Sequence, residues 1–465
     1  MLQRRVGRLL IELSLPAGMG MIVYCLLGLV DSIFIARLGA APLAAITLSM
    51  PAQILISSVA ASTGVGLTSL ISRTLGSGDV KYADNAAWHG LLLSIIYGLL
   101  FMLAGSNYVD NFLLISGCTA ETFRLCREYL HIILLGSIFT FIPIITGSIM
   151  QGEGNTVSPI LFALLSILLN VILDPIFIFG WGFIEGQGLN GAALATVLAQ
   201  LISSFFILGT ILRKRDLLSW SIKNFRPRIT VLAGIGRVGL PAMLTEIVGV
   251  LLMLVLNKVL AGYGCQALAV LGIFLRVRSL AYMPVFGLTQ AIMPIVGFAY
   301  GARKFDRVKE SIVKAAVFSL LALAAAWFIM QKYPWWIMSF FSSDPELLTA
   351  GANCMRWSTL FLPLMGPVFI ISAILQALGK AVAAMCLSLI RQLVLFLLPL
   401  LVIPAYWGLN GVWLVFSLSE LLSAVLAMFF LLSLWQDLQL QKSRAAIILL
   451  PVTRSYKRLL AWLRW

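Results

Sequence analysis

Asn170 and Asp174 place an amide and a carboxylate four residues apart in a segment that is otherwise apolar. On a helix, this spacing puts both side chains on one face, one turn apart. A carboxylate at membrane depth is costly, so an ion or proton site is the default interpretation. Pro175 follows directly and is expected to break the helical hydrogen-bond ladder, which would free carbonyl oxygens for a small cation.

Asp31, in the first apolar segment, is a second candidate for this chemistry. The alternative interpretation is that Asp31 lies near a helix end, reaches the outer interface and has no direct role. Thr196 offers a hydroxyl from a segment of small residues, where helices approach closely. Carboxylate, amide, hydroxyl and freed carbonyl oxygens form a hard-oxygen set that suits Na⁺ or H⁺ rather than soft metals. The residues leave the choice between these two ions open.

The composition excludes a soluble protein, because 61% of the 465 residues are hydrophobic and 11% are charged. Soluble domains are about a quarter charged. The long, unbroken apolar runs are those of a helical membrane protein rather than of a β-barrel. The net charge of +15 comes from Lys and Arg in short loops between these runs. That arrangement is typical of membrane topology and does not indicate nucleic-acid binding.

About twelve apolar segments are long enough to cross a bilayer, which takes about 20 residues of helix. They are predicted at 14–36, 46–71, 86–106, 129–150, 158–182, 189–212, 238–262, 267–293, 311–332, 351–376, 384–405 and 408–435. Most Lys and Arg outside these segments fall on the side of the two termini. Both termini are therefore predicted to be cytoplasmic, in a multi-pass protein of the cytoplasmic (inner) membrane.

The two halves of the chain repeat each other at an offset of 225 residues. Pro16 falls on Pro241 and Gln151 falls on Gln376, and further matches extend along most of the chain. Six helices per repeat is an even number, so both halves enter the membrane from the same side. Such parallel repeats suit two lobes that rock around a central cavity.

The repeat predicts an all-α fold, with 12 transmembrane helices in two pseudo-symmetric six-helix lobes. We assign the N-lobe to residues 1–225, the C-lobe to 226–440 and a basic cytoplasmic tail to 441–465. The tail either lies on the inner membrane surface or is an ordinary basic tail.

The polar cluster occurs in one lobe only. The offset places apolar residues opposite its members: Leu256 opposite Asp31, Leu395 opposite Asn170 and Pro399 opposite Asp174. A polar residue needed only for packing would be expected in both lobes, so this asymmetry favours a function for the two carboxylates.

The second half contributes candidates for a central cavity. Glu246 follows Pro241 by about one helical turn, and Gln290 and Gln376 are further candidates to line the cavity. Arg276 and Arg391 are expected to pair with carboxylates or polar backbone and to hold helices together. Pro284 and Pro294, with nearby glycines, predict breaks and hinges in the eighth helix.

Enzymatic chemistry is not indicated. The chain has no phosphate-binding GxxxxGK[ST] motif, and its six Cys and two His are scattered without metal-ligand spacing. We therefore predict a protein that is not an enzyme and that needs no cofactor beyond a coupling ion.

Several motifs resemble those of the multidrug and toxic compound extrusion (MATE) family, in its prokaryotic form. The match follows the order and spacing of all twelve segments. The most specific strings are NVILDPIFIFG at 170–180, GAALAT at 191–196 and QGEG at 151–154.

The resemblance implies two lobes that form a V, alternating access, and export of amphipathic, often cationic compounds against inward Na⁺ or H⁺, by a monomer. It implies a coupling-cation cluster, with Na⁺ as one candidate ion, formed by Asp31, Asn170, Asp174, Thr196 and Tyr129. Tyr129 is equally explained as an aromatic residue at the membrane interface. Pro16 corresponds to the proline at which the first helix bends. Another branch of the family uses a Glu in helix 7, and Glu246 lies about one turn earlier.

Two other functions are compatible with a two-lobe membrane protein. A flippase for lipid-linked or polyprenyl precursors would favour a cavity rich in Arg and Lys. A receptor or channel would not need repeated lobes with a carboxylate cluster on one side. The natural substrate stays open, and an exporter of small organic compounds is our first interpretation.

Overall fold

The computed structural model describes residues 2, 4–115, 120–182, 184–213, 217–221, 224–341 and 344–449. The first half contains α1 (Val6–Ala36), α2 (Ala40–Ser77), α3 (Val80–Ile115), α4 (Ala120–Leu135), α5 (Ser137–Gly152), α6 (Val157–Phe179), β1 (Gly180–Trp181), β2 (Ile184–Glu185) and α7 (Leu189–Arg213). The second half contains α8 (Ile229–Ala261), α9 (Cys265–Gly301), α10 (Phe305–Lys332), α11 (Pro334–Ser339), α12 (Pro345–Ser358), α13 (Met365–Ala377), α14 (Ala381–Leu389), a π-helix (Ile390–Leu397), α15 (Leu398–Val402) and α16 (Pro404–Leu449).

The number of spans agrees with the prediction. Among the described residues, ten helices are long and apolar enough to cross a membrane, or up to 12 if each of two bent pairs counts as one span. The α4–α5 pair bends by 49° and the α12–α13 pair by 50°. The first bend lies at Gly136, where a Cβ would come within 2.4 Å of the Val197 side chain on α7. Glycine therefore permits the close approach of α7 at this bend.

The prolines do not break their helices as the sequence predicted. α6 continues past Pro175 to Phe179, and α9 runs without a break through Pro284 and Pro294. A proline inside a helix removes one backbone hydrogen bond, and in a membrane bundle neighbouring helices support the rest of the turn. The breaks predicted in α9 are therefore wrong, whereas Pro175 removes one bond from the hydrogen-bond ladder of a helix that continues.

The lobes exchange the first turns of their first helices. Val6 and Leu10 of α1 are buried in the hydrophobic core of the C-lobe. Val231 and Ile235 of α8 are buried in the core of the N-lobe. The two pairs are separated by the same 225 residues as the sequence repeat, so the exchange follows the pseudo-symmetry.

The lobes meet at one end of the bundle. We call it the basic end: α1 begins and α16 ends there, and Arg303 lies in the loop that follows α9. A Cβ at Gly76 of α2 would lie 2.4 Å from the backbone oxygen of Phe298, and Ser69 Oγ donates a hydrogen bond of 2.7 Å to the Gln376 carbonyl. These backbone contacts close the basic end.

The predicted boundary between the lobes, at 225/226, falls in the connection between α7 and α8. Asp84 on α3 holds this connection, because its Oδ1 accepts a hydrogen bond of 2.9 Å from Trp220 N and its Oδ2 accepts one of 2.8 Å from Asn224 Nδ2. His89 Nε2 accepts from Arg228 N at 3.2 Å, so this histidine also positions the connection. α16 extends beyond residue 440 to Leu449, and the rest of the predicted tail lies outside the described residues.

Candidate ion site and substrate cavity

Asn170, Asp174 and Thr196 meet between α6 and α7. Asn170 Nδ2 donates to Asp174 Oδ1 at 3.0 Å and lies 3.3 Å from Thr196 Oγ1. The Thr196 hydroxyl donates to the Ala192 carbonyl at 2.9 Å, which leaves its lone pairs directed to Asn170. Asp174 is completely buried. The spacing of four residues on one helix therefore brings amide, carboxylate and hydroxyl together as predicted.

The side chain of Asp31 lies outside the described part of the structure, but its place along α1 is defined. Ile35, one turn further on, packs in a small buried cluster with Ile178 of α6 and Ala192 of α7. Asp174 lies one turn before Ile178 and Thr196 one turn after Ala192 on the antiparallel α7. The position of Asp31 in the helix is therefore level with the polar residues of α6 and α7.

Tyr129 lies on α4 and is buried. Its described hydrogen bond is with Gln53 of α2, whose Nε2 donates to the phenol oxygen at 3.2 Å. This contact joins α4 to α2, so the burial argues against a purely interfacial aromatic residue. Its role in ion binding stays a prediction.

A cavity of about 840 Å³ lies between the lobes. Gln151, Glu246, Gln290 and Gln376 line it, so the structure brings the three predicted cavity residues to one space. The Gln151 amide donates to Gln290 Oε1 and spans the two lobes. A second cavity of about 520 Å³ shares Glu246 and Gln376 and continues along the first half of α2, away from the basic end. The space between the lobes therefore opens toward the end opposite the basic end.

The charged residues of the large cavity lie on its C-lobe wall. Among the described residues that line it, Glu246 and Arg391 are the only charged ones. Their counterparts at the 225-residue offset, Met21 and Ser166, line the N-lobe wall. Arg391 was expected to pair with a carboxylate or with polar backbone, but within the described part of the chain it forms no salt bridge.

Pro16 lies in the first half of α1, which is helical from end to end. A Cβ at Gly18, two residues later, would lie 3.5 Å from the Pro284 backbone of α9. Pro16 therefore lies beside the contact between α1 and the C-lobe, and a bend there would change how the lobes meet. Its role as a hinge remains a prediction.

The C-lobe buries a polar cluster that the sequence did not reveal. Arg278 of α9 forms a salt bridge of 2.8 Å with Glu420 of α16, which is 2% exposed. Arg278 Nε also donates to the Tyr282 hydroxyl at 2.9 Å, and its guanidinium lies 5.1 Å from the centre of the Phe416 ring. The one available signal was the presence of an Arg and a Glu inside apolar segments. The partners are 142 residues apart in the chain, so the pairing itself depends on the fold.

Known proteins support the interpretation of the fold. The MatE family model matches residues 16–176 and again 241–401, which start 225 residues apart. The FAD transporter of Shewanella oneidensis is 27% identical over 433 residues, covering 91% of this chain and 94% of that protein. The multidrug export protein MepA of Staphylococcus haemolyticus is 26% identical, covering 94% of this chain and 96% of that protein.

A solved structure of the outward-facing conformation of a multidrug resistance MATE transporter of the MOP superfamily has a TM-score of 0.88 and 29% identity. The match covers 95% of this chain and 98% of that one. The repeated family match over both halves, the ten to twelve candidate spans of the described residues and the two-lobe architecture agree with one another. The chain belongs to the MATE family of membrane transporters.

Proposed function

We propose that this protein is an antiporter that exports small amphipathic organic compounds and is driven by inward movement of H⁺ or Na⁺. It acts as a monomer in the cytoplasmic membrane, with both termini in the cytoplasm and the basic end facing inward. In this orientation the structure is the outward-open state of an alternating-access cycle.

The observation that carries the proposal is the separation of two sites along one helix. Ser166 of α6 lines the large cavity, and Asn170, one turn further on, belongs to the buried polar cluster. α6 therefore connects the space that holds a substrate to the residues that hold an ion. A change at one site reaches the other through a single rigid element.

The coupling step follows from the packing of α1. Near the basic end α1 contacts the C-lobe, whereas around Ile35 it packs against α6 and α7. A cation or proton at Asp174 and Asp31 alters how α1 lies against α6, and Pro16 lets the two halves of α1 respond separately. This changes the contact at the basic end, so occupation of the ion site favours one orientation of the lobes over the other.

The names of the relatives do not select one substrate. The Staphylococcus haemolyticus relative is a multidrug export protein and the Shewanella oneidensis relative is an FAD transporter. We take from them the common task, which is transport of organic compounds. The chemical class of the substrate has to come from the cavity of this protein.

The flippase alternative receives less support from the cavity. A pyrophosphate-linked lipid would require several basic groups, because each phosphate oxygen needs a charged or polar donor. Among the described lining residues of the large cavity, Arg391 is the only basic one. The wall otherwise offers the carboxylate of Glu246, amides, hydroxyls and apolar side chains, which suit small amphipathic compounds.

The test is efflux of a fluorescent organic cation from liposomes that contain the purified protein. A Na⁺ gradient and a proton gradient are imposed separately, each with the other ion at equilibrium. We expect one of them to drive efflux, which also identifies the ion. Absence of efflux under both gradients, from protein that elutes as a single folded species, would contradict the proposal, and lipid precursors would be tested next.

A further inference from the structure

We propose that Arg391 binds the carboxylate of the exported compound while Glu246 binds its cationic group, so that the cavity selects amphipathic zwitterions with an aromatic body. The inference rests on the proposed function, because it names the class of substrate for the same cavity. It departs from the expectation that a simple cation is preferred.

Arg391 lies in the π-helix Ile390–Leu397 and lines the large cavity. Within the described part of the chain no side chain or carbonyl accepts a hydrogen bond from its guanidinium. Its described contact is with the ring of Phe369, whose centre lies 5.9 Å away. A guanidinium carries five N–H donors in a fork that fits a carboxylate. Such donors facing a membrane cavity are costly unless a ligand or water accepts their hydrogen bonds.

Glu246 lies near Arg391 without neutralising it directly. Gln392, the neighbour of Arg391, donates from Nε2 to the carbonyl of Thr245, the neighbour of Glu246, at 3.4 Å. A Cβ on Gly249, about one turn beyond Glu246, would lie 3.9 Å from Gln392 Oε1. The two charged residues are therefore on adjacent helices at one level of the cavity. No salt bridge joins them in the described structure, so an acid and a base of one ligand can occupy the space between them.

Arg391 lies in a π-helix at the wall of the cavity. Consecutive residues of an α-helix point about 100° apart, and two of them can border one wide space, as Thr245 and Glu246 of α8 do. The wider π turn changes the phase of the helix, and π turns occur often at functional sites. Here Arg391 and Gln392 both line the cavity.

The arginine is not needed to neutralise the buried carboxylate of the C-lobe. Glu420 already forms its salt bridge with Arg278, whose guanidinium also contacts Tyr282. Arg391 borders a small space of about 160 Å³ together with Arg278 and Glu420, but no salt bridge joins it to Glu420 in the described structure. Arg391 instead adds a positive charge to the wall of the cavity.

Aromatic rings cover the region beside Arg391. Phe286 and Phe369 line the cavity with ring centres 5.6 Å apart, and Tyr282 packs on Phe369 at 5.2 Å. A flat aromatic body fits against these rings, and its acid then reaches Arg391. The opposite wall has Ser166 at the equivalent position, so the charge recognition is confined to the C-lobe.

The test compares two dyes that differ in one group. A rhodamine with a free benzoate is a zwitterion, and its methyl ester is a cation with the same aromatic body. We would measure Kd for both by fluorescence anisotropy with purified protein in detergent. We expect the wild type to bind the free acid about tenfold more tightly than the ester, since a charge-assisted pair contributes about 1.4 kcal/mol or more.

Variants locate the preference. In Arg391→Gln the ratio of the two Kd values should fall to about one, and Arg391→Lys should retain part of it because the charge remains and the fork is lost. Arg276→Gln, which removes an exposed arginine from α9, should keep the ratio of the wild type.

Equal affinity of the wild type for both dyes would overturn the proposal whether or not the variants fold. An unchanged ratio of the two Kd values in Arg391→Gln would also overturn it. If the Gln variant does not fold, an unchanged ratio in Arg391→Lys would overturn it instead. The binding measurement needs no gradient. A failure of ion-driven efflux with the acid still preferred would therefore contradict the proposed function and not this inference.

Discussion

The two lobes share a backbone plan and bury different polar groups. In the N-lobe, Asp174 is completely buried and accepts a hydrogen bond from the neutral amide of Asn170. In the C-lobe, Glu420 is almost as buried but forms a salt bridge with Arg278. A carboxylate held by a neutral amide is suited to receive a cation, whereas one already held by an arginine is suited to lock helices together. The repeat thus carries the proposed ion site in one half and a buried salt bridge in the other.

The asymmetry extends to the cavity. The C-lobe wall carries Glu246 and Arg391, and the N-lobe wall carries Met21 and Ser166 at the equivalent positions. In the proposed function, the N-lobe therefore holds the ion and the C-lobe recognises the substrate. The cluster of Asn170 and Asp174 has no counterpart in the C-lobe, as the sequence predicted, and the C-lobe buries a different polar pair.

The largest expected effect comes from breaking the C-lobe salt bridge. Arg278→Gln leaves Glu420 buried without its charged partner, which should lower the free energy of unfolding by about 3–5 kcal/mol. Unfolding of the purified protein by titration with SDS measures this change. Asp174→Asn, the matched change in the N-lobe, should shift the free energy of unfolding by less than about 1 kcal/mol, since the proposed role of this carboxylate is functional rather than structural.

The double variant Arg278→Gln with Glu420→Gln is the control for this prediction. It removes both charges and should recover much of the lost stability. If Arg278→Gln were as stable as the wild type, the C-lobe pair would not be a structural joint, and the contrast between the lobes would be lost.

A second prediction concerns the closed basic end, which both lobes share. Gly76→Val adds a side chain whose Cβ alone would lie 2.4 Å from the Phe298 carbonyl oxygen. Such overpacking costs about 1–3 kcal/mol in the closed arrangement and should favour separation of the lobes at this end. Spin labels at Asp79 and Lys304, in equivalent exposed loops of the two lobes, should move apart in electron-resonance distance measurements.

The same measurement has a control within the chain. Gly272 lies in the same kind of helix and has no atom within 4 Å of an added Cβ. Gly272→Ala should leave the distance distribution unchanged. An unchanged distribution in Gly76→Val would show that this contact does not hold the closed end together.

A third prediction tests whether Asp31 belongs to the ion site. Asp31→Asn should shift the Na⁺ or proton concentration for half-maximal efflux by about tenfold, because one of the two carboxylates is lost. Asp110→Asn is the matched control, since Asp110 is exposed and pairs with Arg127 at 2.6 Å. If Asp31→Asn responds to the ion as the wild type does, Asp31 is an interfacial residue with no direct role in ion binding.

The smallest expected effect comes from the hydroxyl of Thr196. Thr196→Ala removes one polar contact of Asn170, worth about 1 kcal/mol, and should weaken apparent ion affinity by about fivefold. Thr196→Ser keeps the hydroxyl and should stay near the wild type. Equal loss in both variants would indicate that the methyl group matters and that the oxygen does not.

The features of the fold and of the candidate site that the sequence predicted are those that depend on local sequence patterns. The twelve spans follow from apolar runs, and the meeting of Asn170 with Asp174 follows from a spacing of four residues on one helix. The bend at Gly136 depends on contact with Val197 of another helix, so the local sequence does not predict this bend. The breaks expected in α9 at its two prolines did not occur, because a proline alone does not decide whether neighbouring helices support the turn.

Contacts between distant segments account for the rest. The sequence predicted that Arg391 would pair with a carboxylate or with polar backbone. It could not show that Arg391 faces the cavity, because that position depends on the packing of α8 against α14 and the π-helix. The pair of Arg278 and Glu420 needs two helices that the chain brings together only in the folded lobe. Long-range pairing of this kind has no periodicity for the sequence to show.

The central claim is that the ion site of the N-lobe and the substrate site of the cavity are separate and coupled. One experiment on Asp174→Asn tests it most directly: Kd for a fluorescent substrate, and gradient-driven efflux of the same compound from liposomes, with Asp306→Asn as the exposed control. We predict a Kd within about twofold of the wild type and efflux reduced by about a hundredfold or more, since an unbound ion cannot drive the cycle. Efflux like that of the wild type, or a loss of efflux explained entirely by lost substrate binding, would contradict the account.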